Sequence, residues 1–321
     1  MTARRIRAGL LLLLLLVPSF SGCGGGAEQR CALNVYTRSD ACGAAETWAK
    51  YLGNYSQEDL EGTGVYGDPG LAEAVKKDSL GIGYNNLNFA YDMESGRQLS
   101  GLRVIPIDIN ENGRIDADED FYDDKEELTA AVATGRYPSP PARDENLVAR
   151  GEFKGAAGEF VRWILTDGQA YCSQVGYVAL SKEKAESGLA KLGNVEPETE
   201  LEGRIAISGA WALYPMMVRW TEEYHKVHPG VSFDLSAGGA GKGMADALNG
   251  MVDIGMVSRG VYQAEIDQGA FWVSVTRDAV VPAVNAGNPV LQELLTKGVK
   301  RQTLADIWIA GTVTDWREVI R

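Results

Sequence analysis

Strands alternating with helices, each pair joined by a Gly- or Ser-rich turn, predict an α/β fold with mostly parallel sheets. The composition agrees: 45% hydrophobic and 23% charged is too apolar for a disordered chain. Residues 32–37, Ala-Leu-Asn-Val-Tyr-Thr, read as a short strand. Arg38 to Gly43 turns into a helix whose apolar positions Ala45, Trp48, Ala49 and Leu52 follow helical spacing. A helix around Leu71 to Val75 precedes a strand at Ile82 to Tyr84, and Val104 to Ile107 read as another strand that runs into an acidic segment. Tyr137-Pro138-Ser139-Pro140-Pro141 cannot be helical and marks an extended crossing. Phe160 to Leu165 begins a helix, and Gly176 to Leu180 read as a strand or extended return. Residues 183–203 read as a helix and then a linker containing Pro197. The pattern then restarts with a strand at Arg204 to Ile207, a helix from Tyr214 to His225 and a strand at Val231 to Leu235. Gly238 to Gly243 and a further helix follow.

At roughly 100–200 residues per domain, 321 residues predict two domains. A net charge of −13, from 31 basic and 44 acidic residues, excludes a nucleic-acid partner, because phosphate backbones need clustered Lys and Arg. The N-terminus has the layout of an export signal. Arg4, Arg5 and Arg7 precede an apolar stretch from Ala8 to Val17, which is too short to span a bilayer. Phe20-Ser21-Gly22-Cys23 resembles a bacterial lipobox, in which the Cys is lipidated. Residues 1–22 are therefore expected to be a signal peptide and 23–30 a tether anchored to the membrane through Cys23. Beyond Cys23 the chain has Cys31, Cys42 and Cys172, and an oxidising compartment permits one disulfide among them.

Small residues stand where a helix begins at three turns: Arg38–Ala44, Ser208–Ala212 and Gly238–Gly243. Helix N-termini offer unpaired N–H groups and partial positive charge, so several converging ones make an anion site. Together these segments resemble the phosphate-binding proteins of ABC importers, the PstS family. Ile207-Ser208-Gly209-Ala210 through Trp220 looks like that family's opening strand, ligand turn and helix. Val252-Asp253-Ile254-Gly255-Met256-Val257-Ser258-Arg259 is similar to its D-I-G-x-x-S-R segment. Thr303 to Trp316, the Arg38-Ser39-Asp40 turn and Phe160 to Leu180 resemble further stretches of it.

The resemblance implies a two-lobed type II periplasmic-binding-protein fold with the ligand cleft between lobes. The segment order resembles a circular permutant: residues 31–182 match the family's C-terminal half and 204–321 its N-terminal half, joined by the 183–203 linker. It implies capture of phosphate or a similar oxyanion by hinge closure, for delivery to an ABC permease, by a monomer that is not an enzyme. Carried over residue by residue, the ligand set is Arg38, Cys42, Gly43, Ala44, Ser208, Gly209, Ala210, Trp211, Ala212, Gly239, Ala240, Gly241, Ser258 and Arg259. Arg38 is the strongest donor of the set, because a guanidinium grips an oxyanion bidentately. The chain departs from the family at Cys42-Gly43-Ala44, Ala210-Trp211-Ala212 and Ala240, where hydroxyl donors are lost. Another oxyanion, a small organic acid, or a surface protein that no longer binds ligand are the alternatives. A bridge at Cys42 would obstruct the ligand turn, so Cys31–Cys172 is the expected pair.

Asp108, Asn110, Asn112, Arg114 (through its carbonyl), Asp116 and Glu119 occupy the ligating positions of a twelve-residue EF-hand loop, with Gly113 at the sharp turn. A structural Ca²⁺ is expected there, near the hinge, because the flanking stretches Val104–Ile107 and Pro138–Pro141 are assigned to different lobes. His225 and His228 lack the Glu of a zincin pattern and read as a surface helix end. Cys42 as a nucleophile has no motif-placed His to serve it.

Overall fold

In the computed structural model, residues 31–193 and 201–321 are described. The expected signal peptide, the tether with Cys23 and residues 194–200 of the linker lie outside them. The strands are β1 (Asn34–Arg38), β2 (Thr63–Val65), β3 (Gly81–Asn86), β4 (Leu102–Val104), β5 (Ile107–Asp108) and β6 (Ala142–Arg150). They continue with β7 (Gly203–Gly209), β8 (Val231–Ala237), β9 (Ile254–Val257), β10 (Ala270–Asn285) and β11 (Val299–Lys300).

One nine-stranded sheet runs in the order β2-β1-β3-β10-β6-β9-β7-β8, with β4 also on β10. At each end the strands are parallel, as expected: β1 with β2 and β3, and β7 with β8 and β9. The middle is antiparallel. There β10 pairs β3 and β6, and β6 pairs β9.

Among the described residues two large hydrophobic cores lie along this sheet, with a small third cluster of Ala72, Val75, Leu102 and Ala283. The first draws on residues 31–142 and 279–319, around Trp48, Trp308 and Trp316. The second draws on residues 147–275, around Phe160, Trp220 and Met256. Strands β6 and β10 cross from one core to the other: Ala142 and Val280 lie in the first, Leu147 and Val273 in the second. The cores therefore do not coincide with the sequence regions 31–182 and 204–321, because each core contains pieces of both. The two ends of the described chain meet. Leu33 N–H donates to Thr314 at 2.8 Å and Trp316 N–H to Cys31 at 2.9 Å.

Local sequence explains most elements. The helix Gly43–Gly53 starts at Cys42, whose sulfur accepts from Ala45 N–H, and ends at Asn54 in the left-handed region. Its Ala45, Trp48, Ala49 and Leu52 are all buried, as their spacing predicts. The helix Tyr214–Val227 carries Pro215 in its first turn, where no N–H is needed. Pro106 separates the expected Val104–Ile107 strand into β4 and β5, which pair with different partners. Gly176–Leu180 supplies only one bridge, Val178 to Arg277.

The expected Cys31–Cys172 disulfide is not formed. Cys42 and Cys172 are free and buried, and Cys31 and Cys172 belong to different cores. No helix among the described residues is long and apolar enough to cross a membrane.

Candidate functional site

The three small-residue turns meet where the two cores face each other. From the first core come the end of β1, the turn Asp40–Ala44, and the start of the helix Gly67–Lys77. From the second come the turns after β7 and β8 and the end of β9. Gly241 N–H donates across the cleft to Ala41 at 3.1 Å. Gly43 packs on Ser258 so closely that any Cβ there would overlap the Ser258 carbonyl and hydroxyl. Gly239 lies against Ala41 and Asp40, and the Trp211 indole lies against Gly67. Gly209 and Gly239 adopt φ of 135° and 96°, which glycine adopts without strain, and both N–H groups of Gly238 and Gly239 return to the Gly209 carbonyl. The cleft is closed on itself by small residues. A Cβ or a hydroxyl-bearing side chain at these places would hold the two sides apart.

Arg38 is brought to the cleft but is not a free donor. Its Nε and Nη2 donate to Asp40 at 2.8 and 2.5 Å, and its Nη1 to Asp68 at 2.6 Å. The side chain is wholly buried. Burial opposes its charge, but Asp68 foremost and then its other neighbours hold it ionised well above its ordinary range. Three of the five guanidinium N–H groups are thus committed to two carboxylates, so Arg38 stands in the cleft as a cation braced by Asp40 and Asp68 and not as an isolated anchor. Asp68 and Asp40 are the residues that sequence reasoning missed. Asp40 was visible in the Arg-Ser-Asp turn, but nothing in the sequence connects Asp68 with a site thirty residues earlier.

Arg259 is also occupied elsewhere. It pairs with Glu265 at 2.6 Å and lies 4.2 Å over the Tyr262 ring, while its neighbour Ser258 packs on Gly43. Ser208 donates its hydroxyl to Asp246 at 2.6 Å. Ala210 N–H is taken by the Met256 carbonyl, and the Ala212 carbonyl by the Tyr177 hydroxyl. Ala44 and Ala240 are buried in their cores. Trp211 keeps a buried Nε1–H with no acceptor. The Cys42 thiol is pushed up to about 12 by burial, the nearby Arg38 charge only partly offsetting it, so it is no nucleophile at neutral pH.

The Asp108–Glu119 loop folds on its own backbone. Asp108, 1% exposed, accepts from the amides of Asn112 and Gly113 at 3.1 and 2.8 Å. Glu119 accepts from Ile109 and Asn110 at 2.9 Å each. The side-chain amides of Asn110 and Asn112 both donate to Asp116, which also pairs with Arg114 at 2.8 Å. Ile115 N–H donates to Thr296 at 3.0 Å and anchors the loop to the first core. Val104, Ile107, Tyr137 and Ala142 all lie in that same core, so the loop is not at the junction of two lobes. Among the described residues no group of three or more His, Cys, Asp or Glu side chains is arranged to hold a metal ion. The oxygen set suits a hard cation, but both Asn side chains must turn to present oxygen.

A nine-stranded sheet with two large cores, crossed by two strands and closed by facing small-residue turns, is a type II periplasmic-binding-protein fold. Residues 194–320 match the PBP superfamily domain. The chain is 26% identical over 319 residues to Phosphate-binding protein PstS 2 of Streptococcus agalactiae serotype V, covering 95% of this chain and 94% of that protein. It is 23% identical to Phosphate-binding protein PstS 2 of Streptococcus pneumoniae serotype 4, over 78% of this chain and 72% of that one. A phosphate-binding protein of a phosphate ABC transporter from Streptococcus pneumoniae TIGR4 superposes with a TM-score of 0.57 at 20% identity, covering 90% of this chain and 99% of that one. The chain is PstS-like in sequence and in fold.

Proposed function

We propose that this chain is an extracytoplasmic solute-binding protein that captures phosphate or a similar oxyanion for an ABC importer, and that it is not an enzyme. The observation that carries the reading is the meeting of Asp40–Ala44, Ser208–Ala212, Gly238–Gly241 and Ser258 from two cores. Helix starts contribute N–H donors there, and a dry, closing cleft strengthens each of them. Cys23 would tether the protein to the membrane, where it delivers its ligand to the permease as a monomer. A thermal-shift panel of phosphate, sulfate, molybdate and small carboxylates tests the ligand class, since a ligand raises stability in proportion to the logarithm of its concentration over Kd. A shift with phosphate supports the reading. No shift with any anion removes it.

A second reading, another oxyanion or a small organic acid, is favoured by two observations: Arg38 is already paired with carboxylates, and Trp211 Nε1 is a donor without an acceptor. A carboxylate that shifts the melting point more than phosphate does would select it. We also propose that Asp108–Glu119 takes a structural Ca²⁺, with Asp108, Asn110, Asn112, Asp116 and Glu119 turning oxygen inward and Arg114 giving its carbonyl. The buried carboxylates of Asp108 and Glu119 support this.

A further inference from the structure

Behind the turns, where β6 and β10 pass between the cores, lies a charged cluster that anion capture by the turns leaves unexplained. Arg143 and Glu145 on β6 are 8% and 0% exposed, and Asp278 on β10 is 1% exposed. The register sets Asp278 opposite Arg143 and Thr276 opposite Glu145. Arg143 Nε donates to Glu145 at 3.0 Å, and Nη2 reaches Asn86 Oδ1 and stands 3.7 Å from Asp278. The remaining nitrogen, Nη1, donates at 3.1 Å to the carbonyl of Gly43, inside the candidate anion turn. Asn86 in turn donates to Asp68 at 2.8 Å, and Asp68 accepts from Arg38. A continuous polar path therefore leaves the turn at Arg38 and returns to it at Gly43.

We infer that Arg143 is a positioning residue for the anion-binding turn, and that the buried acids Glu145 and Asp278 set how firmly it holds Gly43. This rests on the anion-capture reading above. The Gly43 carbonyl and the Ala44 N–H share one rigid trans peptide plane and point in opposite directions. Fixing that oxygen on the β6 side aims the Ala44 N–H away from β6. Glu145 Oε2 and both carboxylate oxygens of Asp278 have no hydrogen-bond partner. They are the acceptors that compete with Gly43 for Arg143. Burial raises the pKa of both acids, with Arg143 opposing, so the pair retains a proton beyond the ordinary carboxylate range. The other charged or titratable groups facing them are Asp68, Lys125, Tyr137 and Tyr177. While the proton is held, one Arg143 balances one carboxylate and serves Gly43. Once both acids ionise, they draw the guanidinium away from the turn.

The test is calorimetric titration of inorganic phosphate into the wild type, Arg143→Lys and Glu145→Gln at pH 6 and pH 9, with melting temperatures measured alongside. A lysine ammonium cannot span Gly43, Asn86 and Glu145 together. Arg143→Lys is expected to raise the phosphate Kd at least tenfold at pH 6. The wild type is expected to lose affinity from pH 6 to pH 9 at least threefold more than Glu145→Gln does. Phosphate's own ionisation is common to both proteins and cancels in that comparison. Should Arg143→Lys fail to fold, the two pH profiles decide alone. Parallel profiles, or Arg143→Lys binding within twofold of the wild type, overturn the inference and leave the anion-capture reading standing. A wild type that takes up no phosphate overturns both.

Discussion

Replacing Arg38 separates a scaffold role from a free-donor role. Arg38 was expected from the sequence to grip the ligand, so Arg38→Ala should have left the unliganded protein within a few degrees of the wild type. The structure reverses that. The side chain is 0% exposed between Asp40, at 6%, and Asp68, at 1%. Removing the cation leaves two buried carboxylates without it, Asp68 bonded to the Asn86 backbone and side-chain amides and Asp40 to the Gly67 amide. Breaking a buried ion pair from one side costs about 3–5 kcal/mol, because the remaining charge is uncompensated. For a folded unit spanning residues 31–321, an unfolding entropy of about 2.1 cal/mol/K per residue makes each kcal/mol worth about 1.6 °C, so the melting temperature is expected to fall by about 5–8 °C. The double variant Arg38→Met/Asp68→Asn removes the cation and the more deeply buried of its two carboxylates while keeping similar volumes, leaving Asp40 on the Gly67 amide, and part of the loss is expected to return. Scanning calorimetry of the wild type, the single variant and the double variant measures this. A single variant melting within a few degrees of the wild type refutes the reasoning, as does a double variant no more stable than the single.

Three further outcomes are expected. Burial raises the Glu145 carboxyl, so its stabilising proton is fully present below the ordinary value near pH 4.5 and is lost as pH climbs through the raised folded pKa. The wild-type melting temperature should therefore fall more steeply between pH 5 and pH 9 than that of Glu145→Gln, and parallel curves would contradict the burial argument. Burial also pushes the Cys172 thiol up to about 11, so alkylation at pH 8 should spare Cys42 and Cys172 in the folded protein and modify both in denaturant without reductant. A Cys172 that reacts only after reduction would restore the disulfide expected from the sequence. If Asp108–Glu119 holds Ca²⁺, a chelator should lower stability by about 2.7 kcal/mol where calcium had stood a hundredfold above its Kd, and Glu119→Gln should abolish that effect. Chelator-independent melting together with no calcium uptake at millimolar concentration would return the loop to an acidic surface segment.

The parallel ends of the sheet and their helices were legible because their apolar spacing is regular and their turns are rich in small residues. Trp48 and Leu52, or Trp220 and Tyr224, show this directly. The antiparallel middle was not legible. Strand β6 reads Ala-Arg-Asp-Glu-Asn before its apolar half, and β10 carries Arg277 and Asp278 at its centre. Polar runs of that kind suggest loops, yet here they are strand segments whose side chains meet one another inside the protein. The same feature hid part of the site. The sequence pointed to the turns and to Arg38. It could not show that Asp68 would share that guanidinium with Asp40, because the Asp68 pairing depends on β1 lying beside the helix Gly67–Lys77.

The central claim is that the facing turns bind a small oxyanion through backbone donors in a closing cleft. Calorimetric titration of phosphate into the wild type and Gly43→Ala tests it most directly, because Gly43 contributes no side chain and any Cβ there meets Ser258. Saturable uptake of about one phosphate per wild-type chain is expected. In Gly43→Ala, overpacking of about 1–3 kcal/mol should fall on closure, so affinity should drop about fivefold or more while the variant stays folded. Phosphate binding that is unchanged by Gly43→Ala, or a wild type that binds no oxyanion at millimolar concentration, would contradict the account.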